Sequence, residues 1–415
     1  MNFFNISSKT GFLPTSDPLE KLPENYKELQ DVIDDLQFII TIPDEIVERV
    51  KQIPDYMDQI KDENDSFIIQ ALFRAYTFIT SAYTLEKTYQ EFKKSGDYGQ
   101  ARRLLPKNIA VPLVYVSDRL GVYPWLDYHY AYSLGNYVKK NKSGTLHWEN
   151  LKMACSFTGG KEETGFIMIH VYINELSPLL VSNVLEHKQV QSMYSLKSCA
   201  STLQEINHRR REMWHASRHE YNDFRIFIIG IKGNESIFGD GLVYENCFDN
   251  KPQQFIGAQD NIIPMMDIFT GIVDYSDNQL TDYLRPKCVQ DFLQELRDYY
   301  KENSVYQSLV DTNNVEGLIY LLHIVDEVYL FRNGHWQFVQ KYMSNVKYAF
   351  GTPNTSLLIN QIEAVLEYER VIIKKIQELS NFKMLPYDIY QHFLVFEREY
   401  PKKIQLLYSQ IENLK

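Results

Sequence analysis

The chain has 415 residues, is 44% apolar, and carries 43 Lys+Arg against 54 Asp+Glu, a net charge of −11. The length suggests two or three domains, or one large domain with an appendage, and the apolar share with 30 Tyr and 23 Phe excludes wholesale disorder. The acidic balance argues against nonspecific nucleic-acid binding and against docking to anionic membranes, which need a basic footprint.

The four cysteines (Cys155, Cys199, Cys247, Cys288) form no CxxC pair, so neither a disulfide scaffold nor a zinc ribbon is expected. No apolar run approaches the ~18 residues of a membrane span. The start, MNFFNISSKTGFLP, has no basic segment leading into an apolar one. The expectation is a cytoplasmic protein in a reducing compartment, without a membrane or nucleic-acid partner.

Helical periodicity dominates the chain. Residues 24–40 place Tyr26, Leu29, Val32, Ile33, Leu36 and Ile39 on one stripe, and 43–62 and 66–92 read as further helices. Pro106 and Pro112 punctuate a predicted loop before a short helix near 113–120, and Pro124 precedes another predicted over 126–138. The polar run Lys139-Lys140-Asn141-Lys142-Ser143-Gly144-Thr145 reads either as a domain linker or as a surface loop within one domain. Longer helices are predicted over 166–183, 186–219, 288–302, 314–346 and 356–380, with a final amphipathic one over 387–413 after Pro386. The pattern predicts an all-α protein: a small N-terminal helical domain over 1–138, a linker over 139–148, a large helical domain over 149–380 and a helical extension over 381–415.

Several signatures of catalysis are missing: no GxxxxGK[ST], no HExxH, no GxSxG, no zinc-spaced Cys/His set. Gly230, Gly233, Gly239 and Gly241 fit no phosphate-binding spacing and read as a turn-rich connection. The run His208-Arg209-Arg210-Arg211 reads as the solvated basic face of a helix.

Three residues interrupt apolar surroundings. His335 lies within the stripe Leu321, Ile324, Val328, Phe331, His335, Phe338/Val339, Tyr342. A buried imidazole needs a hydrogen-bond partner or a metal. It is either a satisfied core histidine, which spacing alone favours, or an axial haem ligand on a long helix with aromatic neighbours. Arg225 sits inside Phe224-Arg225-Ile226-Phe227-Ile228-Ile229. Buried there, it needs an anion, either a ligand carboxylate or an internal acid near 220–223. His170 interrupts Phe166-Ile167-Met168-Ile169-His170-Val171-Tyr172, and alone it reads as a core histidine.

Taken in order along the chain, several segments resemble the indoleamine 2,3-dioxygenase family. They are Gly11-Phe12-Leu13-Pro14, Leu105-Pro106 with Ile109 to Leu113, Leu134-Gly135-Asn136, Ser156-Phe157-Thr158-Gly159, Phe166, Phe224-Arg225 to Gly230, Lys232-Gly233-Asn234, Gly241 to Glu245, Gly257-Ala258-Gln259, Asp267, Gly271-Ile272, Phe331-Arg332-Asn333-Gly334-His335, and Gly351-Thr352 to Thr355. The resemblance covers about residues 11–380.

It implies an all-α two-domain fold with haem b between the domains, and O2 as co-substrate. By position, His335 is the expected iron ligand, with Arg332 and Asp267 an ion pair behind it and Gly257 a further cofactor contact. Phe166 and Tyr221 are expected against the substrate ring, Arg225 on its carboxylate, and Thr352 on its amino-acid backbone. His170 is expected to hydrogen-bond the indole N–H or bound dioxygen. The implied reaction opens the indole ring of tryptophan or a related indole amine to an N-formylkynurenine-type product. It needs a reductant for ferric haem, in a protein expected to be monomeric.

Departures from the family pattern cluster near the substrate. Gly351-Thr352-Pro353-Asn354-Thr355 stands for Gly-Thr-Gly-Gly-Thr, a stiffer loop. A His-Arg pair expected after Tyr283-Leu284-Arg285-Pro286 is replaced by Cys288-Val289-Gln290, and Glu220 stands where an aromatic is expected. Two other readings follow: a haem enzyme of this fold with different oxidative chemistry on a modified tryptophan, or a non-catalytic haem-binding protein whose C-terminal helix docks a partner.

Overall fold

The computed structural model describes residues 2–215, 218–255, 260–272, 285–343, 355–379 and 385–412. The fold is all-α, as the periodicity predicts. Its longest helices are Ser66–Ser95, Val315–Met343, Thr355–Leu379 and Tyr387–Glu412. Strands, among the described residues, form two small sheets at helix junctions.

The Ser66–Ser95 helix is buried on every side from Ile69 to Ala82, and Leu72, Phe73, Tyr76, Phe78 and Ile79 are fully buried. A helix of that kind belongs in an interior. Asp65 caps its start by accepting from the Phe67 N–H, and left-handed Gly96 ends it. Gln70 and Arg74, both buried, donate to the Gly135 carbonyl at 2.9 and 2.7 Å.

The stripe from Tyr26 to Ile39 is buried throughout. It is nonetheless cut into Lys27–Asp34 and Leu36–Ile39, and the next predicted helix splits into Glu45–Lys51 and Met57–Asp62 around Pro54. Pro112 does not break its helix; it lies inside Lys107–Leu120, where the missing N–H costs one bond near the helix start.

The helix predicted over 126–138 does not form. Asp127 accepts from the Tyr130 and Ala131 N–H groups at 2.9 and 2.8 Å. This caps a single π-helical turn, Tyr128–Tyr132, and the chain then leaves helical geometry at Ser133. Gly135 permits the fold-back, since a Cβ there would lie 2.4 Å from the Tyr130 carbonyl oxygen. Tyr137–Lys139 then pairs antiparallel with Leu151–Met153, with Val138 opposite Lys152. The polar run after Val138 is therefore the turn of a hairpin, with the Asn141 N–H donating to the Asn150 side chain at 3.0 Å.

Two long predictions divide. The first becomes Lys161–Asn174 and Ser177–Val190, because Pro178 cannot continue the helix past Asn174. Over an 18-residue window this Lys161–Val190 stretch is apolar enough to cross a membrane, against the expectation from sequence, but half of that window is buried inside the fold. The second begins only at Met193–Arg210, after left-handed Gln191 and the Ser192 cap.

Early and late segments interlock. Leu104–Leu105 pairs parallel with Leu242–Tyr244, which pairs antiparallel with Pro252–Gln253. Phe157 stacks between Phe78 and Phe227 at 4.6 and 4.7 Å. At the far end, Ile389, Phe393, Phe396 and Leu407 of Tyr387–Glu412 are buried, while Val395 and Leu406 face outward. That helix packs on the Val315–Met343 and Thr355–Leu379 helices: Lys403 bridges Asp326 and Glu369, and Trp336 Nε1 donates to Gln410 Oε1 at 3.1 Å.

Candidate active site

Three helices carry the candidate residues. Lys161–Asn174 carries Phe166 and His170 one turn apart, Arg218–Arg225 carries Tyr221 and Arg225, and Val315–Met343 carries Arg332, His335 and Phe338. Phe166 is the hub. Its ring meets Tyr221 at 5.0 Å, Phe338 at 5.4 Å, Phe224 at 5.6 Å and His170 at 5.7 Å. Glu163 fixes the start of this helix. Its buried carboxylate accepts from the backbone N–H groups of Phe157, Thr158 and Gly159 at 2.7–3.0 Å.

The two histidines face the same region. His335 lies deep among protein atoms, and burial, aided by the nearby Arg210 charge, pushes its imidazole pKa down to about 4. Yet its side chain is exposed. No described residue gives its ring a hydrogen bond. His170 is likewise pushed down to about 4, first by burial and then by His335. Its Nδ1 is buried without a partner. Both rings are thus neutral at physiological pH, the form in which an imidazole nitrogen can ligate a metal or accept a proton.

Arg332, one turn before His335, donates from Nη2 to Asp267 Oδ2 at 2.5 Å, with both side chains buried. Its Nη1 is buried without a partner. Arg225 is 4% exposed, and its charge acts on the Tyr98 hydroxyl. Tyr221 packs in the Phe166 cluster. Thr352, Gly257 and the side chain of Glu220 lie outside the described residues.

A family model for indoleamine 2,3-dioxygenase matches residues 1–347. The chain belongs to the indoleamine 2,3-dioxygenase family, and is an oxygenase. It is 30% identical over 312 residues to indoleamine 2,3-dioxygenase 1 of Rattus norvegicus, covering 71% of this chain and 70% of that protein. It is 28% identical over 326 residues to indoleamine 2,3-dioxygenase 2 of Mus musculus, covering 71% and 75%. It is also 25% identical over 318 residues to the 6-hydroxytryptophan 2,3-dioxygenase fscD of Fusarium equiseti, covering 71% and 70%.

Of these residues, His335 could hold a haem iron and Arg332 a haem carboxylate. Among the described residues no three of His, Cys, Asp and Glu converge on a metal position. Iron at His335 would take its other ligands from a macrocycle and from a small molecule. The unpartnered Arg332 Nη1 is a donor suited to a porphyrin carboxylate.

Two features of this family member escape sequence reasoning. The first is a polar network behind His170. Tyr128 meets His170 edge-on at 5.4 Å, and its hydroxyl bonds Asn174 at 3.1 Å and Asp260 at 3.4 Å. His129 Nε2 and Arg285 Nε both reach Asn261 Oδ1, at 2.9 and 3.1 Å. Burial pushes the Asp127 carboxyl up to about 7 and His129 down to about 3. One signal was available: an Asp directly before an aromatic run, the pattern of a capped turn.

The second is the basic run 208–211, which is not simply a solvated face. Arg209 bonds Glu175 at 2.8 Å and lies over the Tyr172 ring. Arg210 turns inward against the His335 helix, donating to the Leu330 carbonyl at 3.1 Å.

Proposed function

We propose that this chain is a haem-dependent dioxygenase that opens the indole ring of tryptophan or a related indole amine to an N-formylkynurenine-type product. The observation that supports this is the His335 imidazole, set one turn after the buried Arg332–Asp267 pair and given no hydrogen bond by any described residue. Ferrous haem, when bound, supplies the activation of O2 for attack on the indole C2–C3 bond. The protein supplies orientation and a dry pocket. His335 holds the iron, and the Arg332–Asp267 pair steadies the helix that presents it. Phe166, Tyr221 and Phe338 form an apolar wall against the indole ring. The unpartnered Nδ1 of His170 accepts the indole N–H. Arg225 takes the substrate carboxylate. Thr352 and Gly257 keep the roles the family pattern implies, on the substrate backbone and the cofactor. In this reading the protein is a cytoplasmic monomer served by a one-electron reductant.

A substituted tryptophan is a second substrate, favoured by the likeness to a 6-hydroxytryptophan 2,3-dioxygenase. One experiment tests the whole reading. Purified protein should show a Soret band that His335→Ala removes, and L-tryptophan or 6-hydroxytryptophan with reductant and O2 should gain two oxygen atoms by mass spectrometry. A wild-type protein that takes up no haem would overturn it.

A further inference from the structure

Arg210 is the last residue of the Met193–Arg210 helix, and its guanidinium lies across the neighbouring helix one residue before His335. A Cβ on Gly334 would sit 2.1 Å from Arg210 Nη2, 2.2 Å from Nη1 and 2.5 Å from Cζ. Only a glycine admits the group there. Three further contacts hold it: Nη2 to the Leu330 carbonyl at 3.1 Å, Nε to Asn207 Oδ1 at 3.4 Å, and the Phe331 ring at 5.2 Å from Cζ. All three are neutral.

Among the described residues, the carboxylate whose charge reaches Arg210 is Glu327, which forms no ion pair with it and is itself held by Asn207 at 2.8 Å. A cation placed in protein without a counter-charge is costly unless something gains from its field. The residue that follows Gly334 on that helix is His335, so the guanidinium is seated directly beside the proposed iron ligand.

We propose that Arg210 is a positioning residue for His335, a fixed positive charge seated on Gly334 that makes the imidazole a weaker donor and biases bound iron toward its reduced state. This rests on the haem reading above. Adding one electron to the iron lowers the net charge beside Arg210, so the cation stabilises the ferrous form relative to the ferric. The arrangement contrasts with a proximal carboxylate, which would strengthen the imidazole donor and favour the ferric form. Here the nearby carboxylate, Asp267, is committed to Arg332.

The test is a spectroelectrochemical titration of the haem-loaded protein with a mediated one-electron donor. Arg210→Gln should lower the ferrous-to-ferric ratio at fixed electrode potential about tenfold, a fall of about 59 mV. Arg210→Lys should recover much of it. Gly334→Ala keeps the charge and favours the helix, but its methyl displaces the guanidinium. It should lower the potential in the same direction with the fold intact by circular dichroism. Resonance Raman should show a stiffer iron–imidazole stretch in Arg210→Gln and Gly334→Ala.

An unchanged potential in both Arg210→Gln and Gly334→Ala would overturn the proposal. So would loss of haem from Arg210→Gln with the potential of Arg210→Lys and Gly334→Ala unmoved, which would make Arg210 a cofactor grip. If the wild-type protein takes up no haem at all, the functional reading fails, an outcome distinct from either of these.

Discussion

Arg332 and Asp267 meet across 2.5 Å with side chains only 7% and 1% exposed. Such a pair is held by neither partner alone: removing one leaves the other charged in a poorly solvated place. Asp267→Ala is expected to cost ~3–5 kcal/mol of stability. The measurement is denaturant unfolding of the apoprotein, which separates this cost from any effect on haem. A loss below ~1 kcal/mol, the range of exposed pairs, would mean that water reaches the guanidinium.

Lys403 serves two buried carboxylates at once, Glu369 at 2.9 Å and Asp326. One ammonium does not neutralise both, and burial raises both acids above the ordinary carboxylate range. The sign follows from proton counting. Where the folded value exceeds the unfolded one, the native state binds the proton more tightly. That contribution is complete below the unfolded value and is lost as pH rises toward the folded one. Wild-type stability should therefore carry a declining component between about pH 5 and about pH 8 that Glu369→Gln flattens. Equal slopes in the two proteins, from urea unfolding across that range, would contradict the burial argument.

What was legible in the sequence follows from which forces are local. The stripes Tyr26–Ile39 and Leu321–Val339 were readable because burial imposes a 3.6-residue period on any helix lying on a core. His335, Arg225 and His170 stood out because a polar group in an apolar run is costly. Helix ends were less legible: the breaks at Pro54 and at Pro178 and the fold-back at Gly135 depend on carbonyls and caps that apolar spacing does not register. Least legible was Arg210. Its run of basic neighbours looks like a wet face, and only tertiary packing shows that Gly334 leaves room for a guanidinium. The carboxylate network at Tyr128, Asp260 and Arg285 is hidden for the same reason, since its members are far apart in the chain.

The C-terminal helix lies beyond residue 347, where the family match ends, but it is part of the core rather than an appendage. Phe393 is completely buried on it. Phe393→Ala should cost ~3–5 kcal/mol, the range for deleting a buried aromatic. Through Trp336, which follows His335 in the chain and bonds Gln410 of the C-terminal helix, the same change should also speed haem loss to apomyoglobin. A variant with wild-type unfolding midpoint would show that Tyr387–Glu412 rests loosely on its neighbours.

Arg225 gives the sharpest check on substrate class. It is buried at the end of its helix, directly after Phe224 of the aromatic cluster in sequence. If it takes the substrate carboxylate, the interaction is a charge-assisted hydrogen bond worth ~1.5–3 kcal/mol. Arg225→Ala should then raise the apparent Kd or KM for L-tryptophan about 10- to 150-fold. Tryptamine has the same ring and no carboxylate, so its binding should hardly change. Soret absorbance should persist in the variant, because Arg225 and His335 lie on different helices. Unchanged tryptophan affinity would remove Arg225 from the binding site. An equal loss for both ligands would show instead that Arg225 shapes the pocket through its packing and not through its charge.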